Sequence, residues 1–415
     1  MTILALDWNA TRVRAVVGEA GSNPLPVALE PPALDLPLAI SLEKFAAEVG
    51  GMALRMSRTA SHLVCQNFLH HLTDQAGPGP RWQANRHSFD ARDACALVWY
   101  RLNHLSASAR GIVLTVPSYL LPAQATILRR LGERGGSPLL GSAPTLLTAA
   151  LAAHTEQFWQ RSVLVIDIDN HAVTMGWVKA LADRAHLMES RSFPHLGLDF
   201  WKERLLNILS DLCVRQHRRD PRDAPQAEQS LYDQLDLLTD AALKNQAIQL
   251  GVEGQQWFKH LLVHPEQTIH YCQPLARQVA QQAEQMLLSW PASELPRNII
   301  LTHEAGRLPG LVEAIQMLAQ RSSSETRLPM ANETNFRDED FGEELMFPEA
   351  ETPGGVLVLP PEGPARAAHG LAVLFRAGAL PTGHLETIVP LPKAGNRPQP
   401  SGGGKKQRTI INFPV

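Results

Sequence analysis

The sequence predicts an α/β protein whose sheets are at least partly parallel. Short apolar runs with strand character occur at Thr2–Leu6, Gly111–Val116, Ser162–Ile168 and Asn298–Thr302, and a segment with helical spacing precedes each of the last three. Phe89–Leu105 puts Phe89, Ala96, Val98 and Leu102 at intervals that line one helix face. Gln273–Trp290 does the same with Leu275, Val279, Ala283 and Leu287. A helix leading into each new strand is the alternation from which parallel sheets are built.

Composition sets the frame for these elements. The chain has 415 residues, 44% of them hydrophobic, enough for two medium domains or one large two-lobed one with a sizeable core. A net charge of -3 gives no reason to expect a nucleic-acid partner or membrane insertion. Cys65, Cys95, Cys213 and Cys272 stand far apart with no C-x-x-C pair, so each is expected to be a small buried apolar group rather than half of a disulfide or a zinc ligand. Met1 leads directly into Ile3-Leu4-Ala5-Leu6 without a basic stretch, and no apolar run reaches the ~18 residues of a spanning helix. The expected location is the cytoplasm.

Two regions depart from the alternation. Ser322–Pro353 contains eight acidic residues and one arginine between Glu333 and Glu351, with Pro, Gly and Asn scattered through it. It reads as a long acidic loop. Pro381–Val415 is rich in Pro and Gly, turns basic at Lys405, Lys406 and Arg408, and ends on apolar Ile410–Val415. It reads as a disordered tail. Within it, the apolar stretch Leu385–Leu391 reads either as a segment that docks on its own chain or a partner, or as a sticky remnant in a flexible tail.

One internal echo carries chemistry. Ile3–Val17 reads as strand, tight turn, strand, with Asp7 at the turn entry followed by Asn9-Ala10-Thr11. Val163–Met175 repeats the layout with Asp167 followed by Asp169-Asn170-His171. Two facing hairpins of this kind can hold a phosphate chain on backbone N–H groups, and the Asp pair can position a hydrated Mg²⁺. The plainer reading of each hairpin alone is an ordinary turn with polar ends.

Further segments follow in order. Ile112–Leu120 with Gln124 resembles the "ITVPAYF…Q" segment of DnaK-type (heat-shock protein 70) nucleotide-binding domains. Leu139–Thr145 with Ala149-Ala150-Leu151 resembles "NEPTAAAL", and Phe193–Phe200 is similar to "HLGGEDFD". Ile300–Pro309 sits where the family has "LVGGSTRIP", and Ala365–Val373 resembles "EAVAYGAAV". The matches span roughly residues 3–378.

The resemblance implies an actin-like ATPase fold: two lobes, each on a ribonuclease-H-like sheet with helices, and ATP with Mg²⁺ in the cleft between them. It implies residues 1–160 for the first lobe, 161–353 for the second with the acidic loop 322–353, a return segment 354–380, and the tail 381–415. The cofactor-binding candidates are Asp7, Asn9, Ala10, Thr11, Asp167, Asp169, Asn170, His171, Gly197 and Arg307. Asp7 and Asp167 match the metal-organising positions.

The site also departs from the family pattern. Asn9-Ala10-Thr11 replaces Gly-Thr-Thr, and Asp169-Asn170-His171-Ala172 replaces Gly-Gly-Gly-Thr, although glycine suits turns that approach phosphate closely. Asp169 would bring a carboxylate toward the phosphates, at a repulsion of ~1 kcal/mol in water and ~4 kcal/mol at an effective dielectric of 20 for ~4 Å. The family's catalytic Glu falls on Ala143 and the later Asp on Thr174, while Lys44 lacks the family's lysine context. Thr302-His303-Glu304 replaces Val-Gly-Gly on the adenine side. Helix Leu238–Leu250 would place Gln246 and Ala247 where the family clamps the base. Trp8 reads as packing, His171 as a turn residue, and His70-His71 show no metal-ligand spacing.

Positioning and charge neutralisation carry most phosphoryl-transfer catalysis, so these losses imply little or no turnover and no assignable catalytic residue. The first reading is a regulatory or scaffold module with an unidentified protein partner and weak or absent ATP binding. The second is an active chaperone-type ATPase using ATP and Mg²⁺. The third is an assembly scaffold resembling FtsA and PilM.

Overall fold

The computed structural model describes residues 1–73, 79–106, 108–291, 294–325 and 355–392. It is a mixed α/β protein built on two large sheets that share one strand order. The first contains β1 (Thr2–Trp8), β2 (Arg12–Glu19), β3 (Leu25–Val27), β4 (Gly111–Val116) and β5 (Leu139–Pro144), ordered β5-β4-β1-β2-β3. β1, β2 and β3 form an antiparallel meander, and β4 and β5 run parallel to β1. The second contains β6 (Ser162–Ile168), β7 (Val173–Leu181), β8 (Arg184–Phe193), β9 (Asn298–Leu301) and β10 (Val356–Val358), ordered β10-β9-β6-β7-β8. Again the first three are antiparallel and the last two parallel to the first. A further strand, β11 (Ile388–Pro390), extends its meander edge.

Side-chain alternation on the central strands explains the layering. On β1, Leu4, Leu6 and Trp8 enter the outer core of the first half, while Ile3 and Ala5 face a middle layer. On β6, Leu164, Ile166 and Ile168 enter the outer core of the second half, while Val163 and Val165 face that same middle layer. Strands covered on both faces are continuously apolar, as their sequences are. The middle layer is filled by helices α3 (Thr145–Thr155) and α9 (Gly363–Arg376), which pack on each other. Phe375 of α9 lies so close to β5 that a Cβ on Gly141 would stand 2.2 Å from its ring.

The outer faces carry α1 (Ala91–Ser106) and α2 (Pro122–Arg134) on the first sheet. On the second half lie α4 (Leu198–His217), α5 (Pro225–Tyr232), α6 (Leu235–Leu243), α7 (Pro265–Leu288) and α8 (Leu311–Glu325). Smaller sheets are inserted: Ala39–Ser41 with Glu48–Val49 and Val64–Gln66, and the hairpin Ile248–Gly254/Trp257–Val263. Cys65, Cys95, Cys213 and Cys272 are buried free thiols. Trp8 is fully buried, 5.1 Å from the ring of Trp99, as its packing role requires.

Four expectations need correction. Leu238–Leu250 is not one helix: α6 stops at Leu243, Asn245 takes a left-handed φ of 52°, and the chain re-emerges as a strand from Ile248. Val356–Val358, expected in the return segment, pairs with β9 in the second sheet, and the crossing back begins with α9. Residues 322–325 continue α8 rather than opening the acidic loop, whose residues 326–354 lie outside the described ones. The supposed tail is structured over 381–392: the Glu386 N–H donates to Ser142 O on β5, and Val389 is fully buried in the middle layer. Residues 384–391 therefore stitch the edge of one sheet to the edge of the other. Residues 393–415 lie outside the described ones.

Candidate functional site

Asp7 and Asp167 are the penultimate residues of the two equivalent strands, β1 and β6. Each strand then turns tightly into its antiparallel neighbour, so the two turns are structural counterparts. In the first, the Asn9 N–H donates to Arg12 O at 3.0 Å, and Asn9 Oδ1 accepts the N–H groups of Thr11 and Arg12, both at 2.9 Å. In the second, the Asp169 N–H donates to Ala172 O at 3.1 Å, and Asp169 Oδ1 accepts those of His171 and Ala172, both at 3.0 Å. Asn and Asp side chains form such turns readily because their oxygen mimics a backbone carbonyl.

The two turns also bond to each other. Asp169 Oδ2 accepts the Ala10 N–H at 2.9 Å and the Tyr119 hydroxyl at 2.6 Å. Thr11 Oγ1 donates to Asn170 Oδ1 at 3.1 Å while accepting the Asn170 N–H at 2.8 Å. The backbone N–H groups of Ala10, Thr11, Arg12, Asn170, His171 and Ala172 are therefore all engaged by side-chain oxygens of the chain itself. Asp169 is 2% exposed. Burial raises its pKa, opposed by the hydrogen bonds from Tyr119, Ala10 and Ala172. The same burial raises the Tyr119 pKa well above its usual value, keeping the phenol a donor.

Beside the turns lies a buried ion network. The Arg12 guanidinium donates to Asp7 Oδ2 at 3.0 Å and lies 3.4 Å from both Glu304 and Asp35. Arg14 forks onto Asp35 with two bonds of 2.6 Å, donates to Pro361 O at 2.6 Å, and approaches Glu304 at 3.4 Å. Burial alone would raise the Glu304 pKa, but Arg12, Arg14, His303 and Arg307 more than offset it and hold the carboxyl down to about 2. Among the described residues no arginine bonds Asp167, and Arg12, bonded to Asp7, lowers its pKa only from a distance. Burial pushes it up to about 8, opposed by the 2.7 Å bond from Thr302 Oγ1 and aided by nearby Asp169 and Asp7.

The fold thus brings together Asp7, Asn9, Ala10, Thr11, Asp167, Asp169, Asn170 and His171. Gly197 backs the second turn, where a Cβ would sit 2.6 Å from the His171 carbonyl. Arg307 lies to one side, bonded to Asp240 at 2.9 Å and 3.6 Å from Glu304. Ala143 is buried in β5, Thr174 Oγ1 faces Ser192 Oγ, and Lys44 is exposed and paired with Glu48. Gln246 and Ala247 lie in the exposed turn after α6. Sequence reading missed Arg12, Arg14, Asp35 and Tyr119. It also missed a ring stack in which His70 lies 3.8 Å from His171 at 12° and 3.8 Å from His71. Burial, with His171 and His71 adding repulsion, lowers the His70 pKa to about 4.

These residues do not fit a magnesium–nucleotide complex. The turn amides already have acceptors, one Asp7 oxygen is held by a permanent cation, and burial raises the Asp167 pKa to about 8. Among the described residues, no group of three or more His, Cys, Asp or Glu side chains is arranged to hold a metal ion, and no helix is long and apolar enough to cross a membrane. A depression of about 440 Å³ between α1 and α2, lined by Asp90, Asp93, Trp99, Tyr100 and Arg134 among others, shares no residue with the hairpins. No protein-family model matches the chain, and no curated protein matches its sequence.

Proposed function

We propose that this chain is a two-lobed actin-like domain of the DnaK type that acts as a regulatory or scaffold module and does not turn over ATP. The repeated strand order, with an Asp at the same place in each central strand, supports the two-lobed reading. The ordered segment resemblances favour the DnaK branch. The observation that carries the functional half is Asp169: its carboxylate takes the N–H groups of Ala10, His171 and Ala172, donors that a phosphate chain would need. An anionic phosphate would have to displace an internal carboxylate already bonded to the same donors, which costs most of what the cradle offers. Calorimetric titration with ATP and ADP, each with and without Mg²⁺, tests this. Absence of binding up to millimolar nucleotide is expected. Micromolar, Mg²⁺-dependent binding with measurable ATP turnover would overturn the scaffold reading in favour of an active ATPase.

A further inference from the structure

The contacts between the two halves are not confined to the turns. After the small sheet at Ala39–Ser41, the chain reaches the helices of the second half. Gln229 on α5 accepts the Arg58 N–H at 2.7 Å and donates to Leu54 O at 2.9 Å. The Arg58 guanidinium bonds Glu203, lies 3.6 Å from Glu228, and covers the Tyr232 ring at 4.9 Å. Asn67 Nδ2 donates to Asp199 Oδ2 at 2.6 Å. With the hairpin bonds and the His70–His171 stack, these form two separate levels of attachment, one at the turns and one between Leu54–Asn67 and α4–α5.

We propose that the cleft is held shut by the chain itself, as a ligand-independent latch in which Asp169 and Tyr119 close the inner level and Arg58 and Gln229 the outer one. The inference rests on the two-lobed reading above and deepens it. In an actin-like domain, a bound ligand bridging the lobes is the usual means of biasing a hinge between open and closed forms. Here a carboxylate from the second hairpin takes one backbone donor of the first, the Ala10 N–H, along with two of its own turn. Tyr119 is the holding residue: its hydroxyl meets the oxygen that crosses to Ala10 and leaves alone the oxygen that serves Asp169's own turn. Gln229 is 6% exposed and spans the outer level with both ends of its amide. A ligand able to open the protein must therefore compete with internal partners at both levels.

Amide hydrogen exchange of the full chain without nucleotide, read at residues 8–13 and 168–173, tests the latch. The wild type is expected to protect both turns strongly. Tyr119→Phe, which removes one hydroxyl and little volume, is expected to speed exchange in both turns together by roughly five- to tenfold, the worth of about one hydrogen bond. Gln229→Ala is expected to do likewise from the outer level while the strands β1 and β6 keep their protection. Turns that exchange freely in the nucleotide-free wild type would overturn the latch, as would a Tyr119→Phe effect confined to one hairpin. If Mg²⁺-ATP binds and is turned over yet the turns stay protected without it, the scaffold reading falls and the latch stands. If no nucleotide binds and the turns exchange freely, the latch falls and the scaffold reading stands.

Discussion

The two hairpin turns follow one design and differ in the side chains that carry it. Asn9 and Asp169 each stand two residues after a buried Asp, and each satisfies two N–H groups of its own turn. Asn has one acceptor oxygen, with an amide donor at the other end, whereas Asp has two acceptor oxygens. Only Asp169 can therefore serve its own turn with one oxygen and the opposite hairpin with the other. Three residues later the difference reverses. The first turn has Arg12, which reaches back to Asp7, and the second has Ala172, which leaves Asp167 dependent on Thr302 and on its own proton. The carboxylate that crosses between the hairpins belongs to the second, and the charge compensation to the first.

The largest test of that division is Arg12→Met. It leaves Asp7, 1% exposed, and the buried end of Glu304 without their shared cation. Breaking a buried pair from one side costs about 3–5 kcal/mol, and urea unfolding should read a loss in that range at pH 7. A loss under about 1 kcal/mol would mean that the network is dispensable.

Asp7→Asn and Asp167→Asn should then diverge in sign. Asp7→Asn removes the negative partner of Arg12 and should cost about 1–3 kcal/mol. Asp167 is different because its folded pKa, about 8, lies above the unfolded value of 3.8. The folded state holds that proton more tightly, so this contribution to stability is full below the unfolded value and is lost as pH rises through about 8. Asp167→Asn keeps an oxygen for the Thr302 hydroxyl and removes the titration. Its melting temperature should match or exceed that of the wild type at pH 8–9, with a flatter profile between about pH 4 and 8. A Tm below that of the wild type at alkaline pH would place a needed charge on Asp167.

These contrasts show how far the sequence could be read. The apolar runs of β1, β4, β6 and β9 announced the central strands because burial on both faces leaves no room for polar alternation. Asp7 and Asp167 were visible for the same reason, as charges ending uncharged strands. Who satisfies the turn amides was not visible. Tyr119 lies 50 residues from Asp169, and nothing local marks it beyond its place in a strand-ending segment. Arg12 reads as an ordinary strand residue until the register sets its neighbour on β2, Arg14, opposite Asp7 and Glu304 arrives from 292 residues away. The hairpin from Ile248 could have been found: its burial alternates with period two, and Gly251 and Gly254 weaken a helix there. Ile388–Pro390 was harder, because a three-residue strand among Pro and Gly carries almost no pattern of its own.

The smallest expected effect belongs to Asn9→Ala, and it tests whether the two turns are as unequal as their chemistry implies. The substitution strips the acceptor from the Thr11 and Arg12 amides but leaves Ala10 bonded to Asp169 and Thr11 bonded to Asn170. Its cost should be about 1 kcal/mol, the usual worth of a local side-chain bond to backbone donors. Exchange should rise at residues 11–12 and stay unchanged at 171–172, since those amides belong to Asp169 alone. If 171–172 accelerate as well, the first turn is also holding the second, and the latch is shared evenly instead of being carried by the one residue with two acceptors.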